Sequence, residues 1–193
     1  MKIRDSGMPD ESYWESLFDV PLILSRFDIG RFHDVAELGC GYGTFTRPIA
    51  KAISGTLYTF DVEPEMIART RARTAGLRVV CGQRDVMDVG FGVQVDAVLL
   101  FNILHCEQPA ELLRHAANAL RPGGEVLVMH WRYGETPRGP NLDIRPRPEQ
   151  ILAWAASAGL KAMTDAFDLP PWHYGLRFSL IDGSSDKRHQ TGV

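Results

Sequence analysis

DVAELGCGYGTFTRPIAKAI, residues 34–53, joins a short apolar run, a glycine-rich segment and a helical pattern without a break. Glycine lets the backbone turn sharply and approach a ligand closely, because it has no Cβ atom. Gly39, Gly41 and Gly43 stand where a strand would run into a helix. In that setting a glycine-rich loop can hold part of a nucleotide. The stretch therefore predicts the first strand, loop and helix of a ligand-binding α/β sheet.

Short β-rich runs alternate with helix-length segments along the rest of the chain, an order typical of a parallel sheet with helices on both faces. The later runs are LYTF, RVV, VDAVLLF and EVLVMHW. A helix ending at Gly159 and two strands, in LKAMTDAFDL and GLRFSLI, complete the pattern. A strand that follows another without a crossover helix must be antiparallel to it. We expect an α/β fold with a Rossmann-like, doubly wound, seven-stranded and mostly parallel sheet whose last strand is antiparallel.

Length and composition indicate one domain. The chain has 193 residues, of which 45% are hydrophobic, and this suffices for one substantial core. We expect residues 34–183 to form the domain, residues 1–33 a helical cap or lid over the site, and residues 184–193 a flexible tail. The alternative for the N-terminal segment is that Trp14 and Phe18 only cover the end of the core.

Charge and apolar content narrow the expected partners and location. The formal net charge is -3 and no long run of Lys and Arg occurs, so we expect no nucleic-acid partner. No apolar run approaches the roughly 18 residues of a membrane span, and the N-terminus lacks signal-peptide features, so we expect a cytoplasmic protein without an integral membrane segment. A small molecule is the expected partner, and a homodimer is compatible with the sequence.

Two acidic residues follow later strands of the predicted sheet. Asp61 closes the second strand about 20 residues after Gly39, where a carboxylate can accept hydrogen bonds from both hydroxyls of an adenosine ribose. Asp85, after the third strand, can accept from the adenine amino group, and Val62 and Val86 offer apolar faces to the ring. Ligands bind at the carboxyl ends of strands in such sheets. The pattern therefore predicts an adenosine site.

Two adenosine-containing ligands compete for this arrangement. A nicotinamide or flavin dinucleotide fingerprint needs a third glycine at the position that Thr44 occupies. Glu37 beside the loop would repel a pyrophosphate, but it would attract the ammonium and sulfonium groups of S-adenosylmethionine (SAM). The residues therefore favour SAM, with S-adenosylhomocysteine (SAH) as the product.

Five segments closely resemble successive motifs of the class I SAM-dependent methyltransferases. In chain order they are ELGCGYG, YTFDVEPEMI, GQRDVMDV, DAVLLFNILH and LRPGGEVLVMHW, within residues 34–131. Their surroundings are similar to the small-molecule group that includes ubiquinone and menaquinone biosynthesis methyltransferases. The resemblance implies a methyltransferase that uses SAM. Glu37 stands where many family members have Asp, a difference that preserves the charge.

The resemblance also implies the residues that bind SAM. At the methionine end these are Glu37, the backbone of Gly39, Cys40 and Gly41, and, after the fourth strand, Phe101 and Asn102. At the adenosine end they are Asp61 for the ribose, Val62 for the adenine, and Asp85 with Val86 for its far edge. Two alternatives stay open: Gly43 serves only helix packing, and Asp85 serves only as a helix cap.

Candidate residues for the methyl acceptor lie beyond this set. His105, just past the fourth strand, is a candidate general base, and the alternative is a histidine that orients or supports its loop. Aromatic walls with a few polar groups are usual in small-molecule sites, although aromatic residues serve equally well in a core. On this basis the candidate substrate residues are Tyr13, Trp14, Trp131 and Arg132.

Motifs that the chain lacks narrow the reaction. Residues 101–104, FNIL, replace the Asn/Asp-Pro-Pro-aromatic tetrad of enzymes that methylate nucleic-acid amines. The segments FNILH and MHWRY supply no carboxylates for magnesium, so we expect no metal site. We therefore expect metal-independent, in-line transfer to an O, N or C nucleophile of a small organic molecule. The alternatives are a noncatalytic SAM-binding regulator and a nicotinamide-dependent reductase.

Overall fold

A single sheet organises the part of the chain that a computed structural model describes, residues 9–181. Strands β1 to β8 are Val35–Leu38, Leu57–Asp61, Val79–Gln83, Val95–Phe101, Leu120–Trp131, Leu160–Ala162, Phe167–Leu169 and His173–Leu180. Helices α1 to α7 are Glu11–Glu15, Val20–Arg26, Thr46–Ala52, Pro64–Arg73, Val86–Val89, Pro109–Asn118 and Pro148–Ser157. Ile29–Arg31 forms a short 3-10 helix. The expected tail, the last two residues of the expected domain and the first eight of the expected cap lie outside the described residues.

The strands pair in the order β3-β2-β1-β4-β5-β8-β6, and β7 also pairs with β8. The first five are parallel, because a helix or a long loop returns the chain to the same end of the sheet before each new strand. β8 follows β7 without a helix and is antiparallel to β5. The predicted fold class, a doubly wound and mostly parallel sheet with an antiparallel last strand, is confirmed.

The segment LKAMTDAFDL forms two strands instead of one. β6 pairs with the end of β8 near Phe178, and β7 pairs with its start near Gly175. Residues 163–166 bulge out between them and are exposed. Phe167 then returns to cover Gly175, where an added Cβ would lie 2.5 Å from the Phe167 ring. The described residues therefore hold eight strands in seven sheet positions.

Alternate residues of β4 supply the two halves of the core. Val98 and Leu100 pack with helices α6 and α7, while Ala97 and Leu99 face α2 and α3. All four side chains are fully buried. An apolar run such as VDAVLLF fits this position, since both faces of a central parallel strand are covered.

The N-terminal segment packs against the second half of this core. Leu17, Phe18, Ile23 and Phe27 are buried, and the Asp19 side chain caps α2 by accepting from the Leu22 N–H at 3.1 Å. The described part of the segment therefore packs on the sheet, and its role as a lid over the site stays a prediction. Among the described residues, no helix is long and apolar enough to cross a membrane.

A buried carboxylate ties the N-terminal segment to the last strands. Glu125 in β5 is 2% exposed. Its Oε2 accepts hydrogen bonds from Nε and Nη2 of Arg177 in β8, at 3.1 and 2.9 Å, and its Oε1 accepts from Arg31. Charge-assisted bonds of this kind satisfy a carboxylate that the sheet has removed from water.

We expect Glu125→Gln to lower the free energy of unfolding by about 3 kcal/mol, because it leaves two guanidinium groups without their shared carboxylate. Urea unfolding measures the change. Glu111→Gln is the matched control, since Glu111 forms an exposed pair with Arg114 and its loss should not shift the midpoint. Equal midpoints for Glu125→Gln and the control would contradict the expected role of Glu125.

Candidate active site

The glycine-rich loop leaves β1 at the carboxyl edge of the sheet. Gly39 has a φ of +77°, and a Cβ there would lie 3.1 Å from Cδ1 of Ile103. Gly43 has a φ of +78°, and its Cβ would lie 3.0 Å from Oγ1 of Thr70 in α4. The Thr70 hydroxyl also donates to the Gly41 carbonyl at 3.1 Å. The packing interpretation of Gly43 thus agrees with its contacts, while Gly39 is exposed at the edge where a ligand would approach.

Asp61 connects the end of β2 to this loop. Its Oδ2 accepts a hydrogen bond from the Gly41 N–H at 3.0 Å, and its Oδ1 accepts from the Glu63 N–H at 3.0 Å. The Cys40 thiol lies 3.9 Å from the same Oδ2. The carboxylate is half-buried, and Val62 beside it is half-buried as well. The glycine loop is therefore in direct contact with Asp61, the residue predicted to bind the ribose.

Asp85 caps the N-terminus of α5, and Val86 is the first residue of that helix. Oδ1 of Asp85 accepts from the Met87 N–H at 3.0 Å, which is a helix N-cap. Val86 is buried in the core. The cap that the sequence left open as an alternative is thus present, and the role of both residues at the adenine stays a prediction.

Glu37 is buried behind the glycine loop. Its Oε2 accepts hydrogen bonds from the hydroxyls of Thr46 at 2.7 Å and Thr59 at 2.8 Å. Burial raises the pKa of this carboxyl, the two threonine bonds lower it and nearby Asp61 raises it, so that the net pKa is about 7 instead of the usual 4.5. The sequence pointed to a charged Glu37, whereas the fold gives it a proton that is released near neutral pH.

Phe101 and Asn102 end β4 beside the N-terminal segment. The Phe101 ring is 5.3 Å from both Phe27 and Phe45, between centroids. Asn102 adopts the left-handed conformation, with a φ of +54°. This places its Nδ2 3.3 Å from Nε2 of His173 in β8. Asn tolerates this conformation better than most residues do, because its short side chain bonds locally.

His105 lies beyond β4 against β5. Its Nδ1 is 3.3 Å from Nε2 of His130, and both rings are buried. Burial lowers the pKa of His130 well below its usual range, and burial also lowers the pKa of His173 to about 3. Three histidines, from the β4 turn, β5 and β8, therefore gather at one corner of the sheet.

The four candidate substrate residues divide into two pairs. Trp131 is 2% exposed, with its ring centroid 6.4 Å from Trp14 and 4.2 Å from His173. Tyr13 is exposed and its hydroxyl donates to the Pro137 carbonyl at 3.4 Å. Arg132 is exposed and donates to the Pro171 carbonyl. The fold therefore brings Trp14 and Trp131 together in an aromatic wall, and Tyr13 and Arg132 lie at its rim.

The loop after β5 is organised by Arg145, whose role the sequence gave no signal for. This buried guanidinium donates twice to the Pro140 carbonyl, at 2.9 and 2.7 Å. It also donates to the carbonyls of Arg132 at 3.0 Å and Gly134 at 2.9 Å and to the Thr136 hydroxyl at 2.8 Å. Burial lowers its pKa. All of these hydrogen bonds go to neutral oxygens of the loop.

Comparison with known proteins agrees with this geometry. The family described as "Methyltransferase domain" matches residues 35–124. An uncharacterised 37.1 kDa transposon protein of Streptomyces fradiae is 30% identical over 141 residues, which cover 66% of this chain and 41% of that protein. Mouse acetylserotonin O-methyltransferase is 30% identical over 117 residues, which cover 55% of this chain and 30% of that enzyme. The chain thus spans less than half the length of these two relatives.

In three further matches, the aligned region covers more than half of the other protein. A ubiquinone biosynthesis O-methyltransferase of Xanthomonas axonopodis is 24% identical over 171 residues, which cover 75% of this chain and 70% of that protein. A SAM-dependent methyltransferase structure from Aquifex aeolicus has a TM-score of 0.77 at 20% identity, and the match covers 89% and 94% of the two chains. The structure of an O-methyltransferase from neocarzinostatin biosynthesis was solved with SAH and 1,4-dihydroxy-2-naphthoic acid. It has a TM-score of 0.71 at 19% identity, and the match covers 82% of this chain and 52% of that chain.

The chain has the Rossmann-like fold of the solved SAM-dependent methyltransferase from Aquifex aeolicus, with the glycine loop and Asp61 in contact at the carboxyl edge of the sheet. Residues 35–124 match the family described as "Methyltransferase domain", and the similar proteins include methyltransferases that share sequence or fold with this chain.

The raised pKa of Glu37 makes the stability of the ligand-free protein depend on pH. Because the folded pKa exceeds the usual 4.5, the contribution of this group is full below pH 4.5 and is lost as the pH rises toward about 7. A pKa shift of this size changes the free energy of unfolding by at most about 3 kcal/mol.

We expect Glu37→Gln, which keeps a group that the threonine hydroxyls can bond, to match the wild type near pH 4.5 and to exceed it by about 2 kcal/mol at pH 8. Urea unfolding of both proteins without ligand at the two pH values measures the difference. The two proteins share every other titrating group. An equal difference between their free energies of unfolding at both pH values would therefore show that Glu37 does not cause the pH dependence.

Proposed function

We propose that the protein transfers a methyl group from SAM to an O, N or C nucleophile of a small organic molecule, in line and without a metal. The observation that carries the proposal is the bond between Asp61 and the glycine loop, which joins a half-buried carboxylate to the half-buried backbone of Gly41 at the carboxyl edge of the sheet. Ligands of α/β sheets bind at this edge. The family match over residues 35–124 supports the same reading.

The residues present fit SAM. The positive φ of Gly39 and its exposure allow a ligand to approach the backbone, and Asp61 lies half-exposed beside it. In this proposal Glu37, Gly39, Cys40 and Gly41 hold the methionine end together with Phe101 and Asn102, and Asp61, Val62, Asp85 and Val86 hold the adenosine. When bound, SAM supplies an electrophilic methyl group on a sulfonium. Ionised Glu37 would favour this cation, which in turn would lower the pKa of Glu37.

The chain itself must align the acceptor and exclude water. The rings of Trp14, Phe18 and Trp131 lie within 6.4 Å of one another, between centroids, and would form a dry wall beside the acceptor. His105 is the proposed general base for a hydroxyl or protonated amine. An oxygen nucleophile is our first candidate, since the mouse and Xanthomonas relatives are O-methyltransferases. The structure that binds a dihydroxynaphthoic acid supports an aromatic acceptor of similar size.

Titration calorimetry with SAM, SAH and NADH tests the cofactor assignment. We expect micromolar binding of SAM and SAH and none of NADH. Asp61→Asn should weaken SAH binding roughly tenfold, because a neutral amide is a weaker acceptor for the ribose hydroxyls. Asp88→Asn is the matched control, since Asp88 is exposed in α5 and is not among the residues proposed to bind SAM, and it should bind as the wild type does.

The outcomes separate the competing functions. Binding of NADH alone would indicate a reductase and overturn the proposal. Binding of SAM with no SAH formed from a panel of phenols, amines and activated carbon acids would indicate a noncatalytic regulator. Equal SAH affinity in Asp61→Asn and the control would reject the proposed ribose site.

We further propose that α1 acts as a lid over the cofactor. Arg73 in α4 donates to Glu15 at 2.8 Å and to Glu11, and it also donates to the Tyr42 carbonyl of the glycine loop at 3.0 Å. The Tyr42 hydroxyl donates to the Pro9 carbonyl at 2.9 Å. No residue of α1 is fully buried, so these half-exposed polar contacts hold the helix in place together with the partly buried ring of Trp14.

Removal of the α1 carboxylates should loosen this lid. Loss of exposed ion pairs in Glu11→Gln/Glu15→Gln amounts to about 1 kcal/mol, so we expect SAH to dissociate roughly fivefold faster in stopped-flow fluorescence. Glu65→Gln, which breaks the pair of Glu65 with Arg69 within α4, is the control. A double variant that releases SAH at the rate of the control would argue against the lid.

A further inference from the structure

The loop between β5 and α7 concentrates positive charge beside the aromatic wall. This loop, residues 132–147, contains four arginines and two acidic residues, whereas the whole chain has a net charge of -3. The acidic residues, Glu135 and Asp143, are both exposed, and neither forms an ion pair within the part of the chain that the structure describes. The loop therefore carries positive charge that its own carboxylates do not neutralise.

Arg145 is the buried member of this group of arginines. Its side chain donates only to backbone carbonyls and one hydroxyl of residues 132–140. These neutral oxygens satisfy the N–H donors, but the positive charge stays uncompensated, because no carboxylate among residues 9–181 forms an ion pair with Arg145. An added Cβ on Gly139 would lie 2.9 Å from both Nη2 of Arg145 and Cγ of Trp131. The buried charge therefore lies beside the wall.

Arg132 adds a second positive charge at the rim of the wall. Its carbonyl accepts from Nη1 of Arg145 at 3.0 Å, and its N–H donates to the Trp172 carbonyl at 2.9 Å, so its backbone is held from two sides. Its side chain is exposed and donates to the Pro171 carbonyl. A guanidinium has five N–H donors, so most of the Arg132 side chain can still donate to a ligand.

Both charges act on the wall and not on the glycine loop. Burial, and then the positive charges of Arg132 and Arg145, lower the pKa of His173 to about 3. The His173 ring stacks on Phe18, with centroids 4.8 Å apart, and its centroid lies 4.2 Å from that of Trp131. In the sheet, β4 separates β5 from β1, which leads into the glycine loop. The two arginines therefore lie on the side proposed for the acceptor.

We propose that the methyl acceptor carries a carboxylate, which Arg132 binds at the rim of the wall. This inference rests on the proposed function and names the chemical class of its acceptor. A planar guanidinium matches a carboxylate with two parallel N–H···O bonds. A carboxylate at this rim also offsets the uncompensated charge of Arg145. The aromatic wall and the charged rim together fit an aromatic carboxylate.

Binding of paired probes tests the inference without turnover. The probes are hydroxybenzoates and hydroxynaphthoates, each measured beside the carboxamide of the same ring on the full chain saturated with SAH. Ligand-observed NMR titration gives both affinities. We expect at least one carboxylate to bind roughly tenfold more tightly than its carboxamide, because hydrogen bonds between charged groups are stronger than neutral ones. A panel in which no carboxylate binds more tightly than its carboxamide would overturn the inference.

Substitutions of Arg132 assign the preference to its side chain. We expect Arg132→Gln to weaken carboxylate binding roughly tenfold and to leave carboxamide binding unchanged. Arg132→Lys keeps the charge without the planar fork and should recover part of the loss. Arg78→Gln is the control for net charge, since Arg78 is exposed and precedes β3 at the amino edge of the sheet. An unchanged preference in Arg132→Gln, or an equal loss for both probes, would reject the role of Arg132.

Cofactor binding and turnover separate this inference from the proposed function. We expect Arg132→Gln to leave SAH affinity unchanged and, with a carboxylate acceptor, to raise KM roughly tenfold with little change in kcat. A tenfold fall in SAH affinity would mean that Arg132 binds the carboxylate of the cofactor, against the inference. Absence of SAM and SAH binding in the wild type would reject the proposed function, while the paired probes, measured without SAH, would still report the preference for a carboxylate.

Discussion

Parallel pairing of β1 with β2 and β4 is the constraint on which the candidate site depends. Each parallel neighbour requires the chain to return to the same end of the sheet, so every strand of this group ends at one edge. The glycine loop, Asp61 and Asn102 all follow such strand ends, and they converge although they are far apart in the chain. Their proximity therefore follows from topology, and local loop structure only adjusts it.

Burial decides the electrostatics of this edge. Glu37 lies behind the loop with two threonine hydroxyls and a pKa near 7, whereas Glu125 lies deep between β5 and β8 with two arginines that satisfy both of its oxygens. The difference has a physical reason, since opposite charge compensates desolvation far better than neutral hydroxyls do. Glu37 is thus a carboxyl whose cost of burial a cationic ligand could offset, and Glu125 is a structural tie.

The aromatic wall that we propose for the acceptor is built by the antiparallel register of β5 and β8. This register sets Trp131 opposite His173 and His130 opposite Tyr174. The N-terminal segment then adds Trp14 and Phe18, so that aromatic rings from three distant parts of the chain share one wall. Arg145 fixes the loop above it through neutral oxygens, which leaves its positive charge near the histidines and helps to keep them unprotonated.

The sequence by itself determined the sheet and the glycine-rich loop, because alternating apolar runs, the glycines after β1 and Asp61 at the end of β2 are local patterns with a local physical meaning. Only the tertiary structure decided the break between β6 and β7, the burial of Trp131, the protonation of Glu37 and the contact between His105 and His130. Each of these depends on which side chains from distant elements surround a residue and remove it from water, and no spacing along the chain encodes that environment.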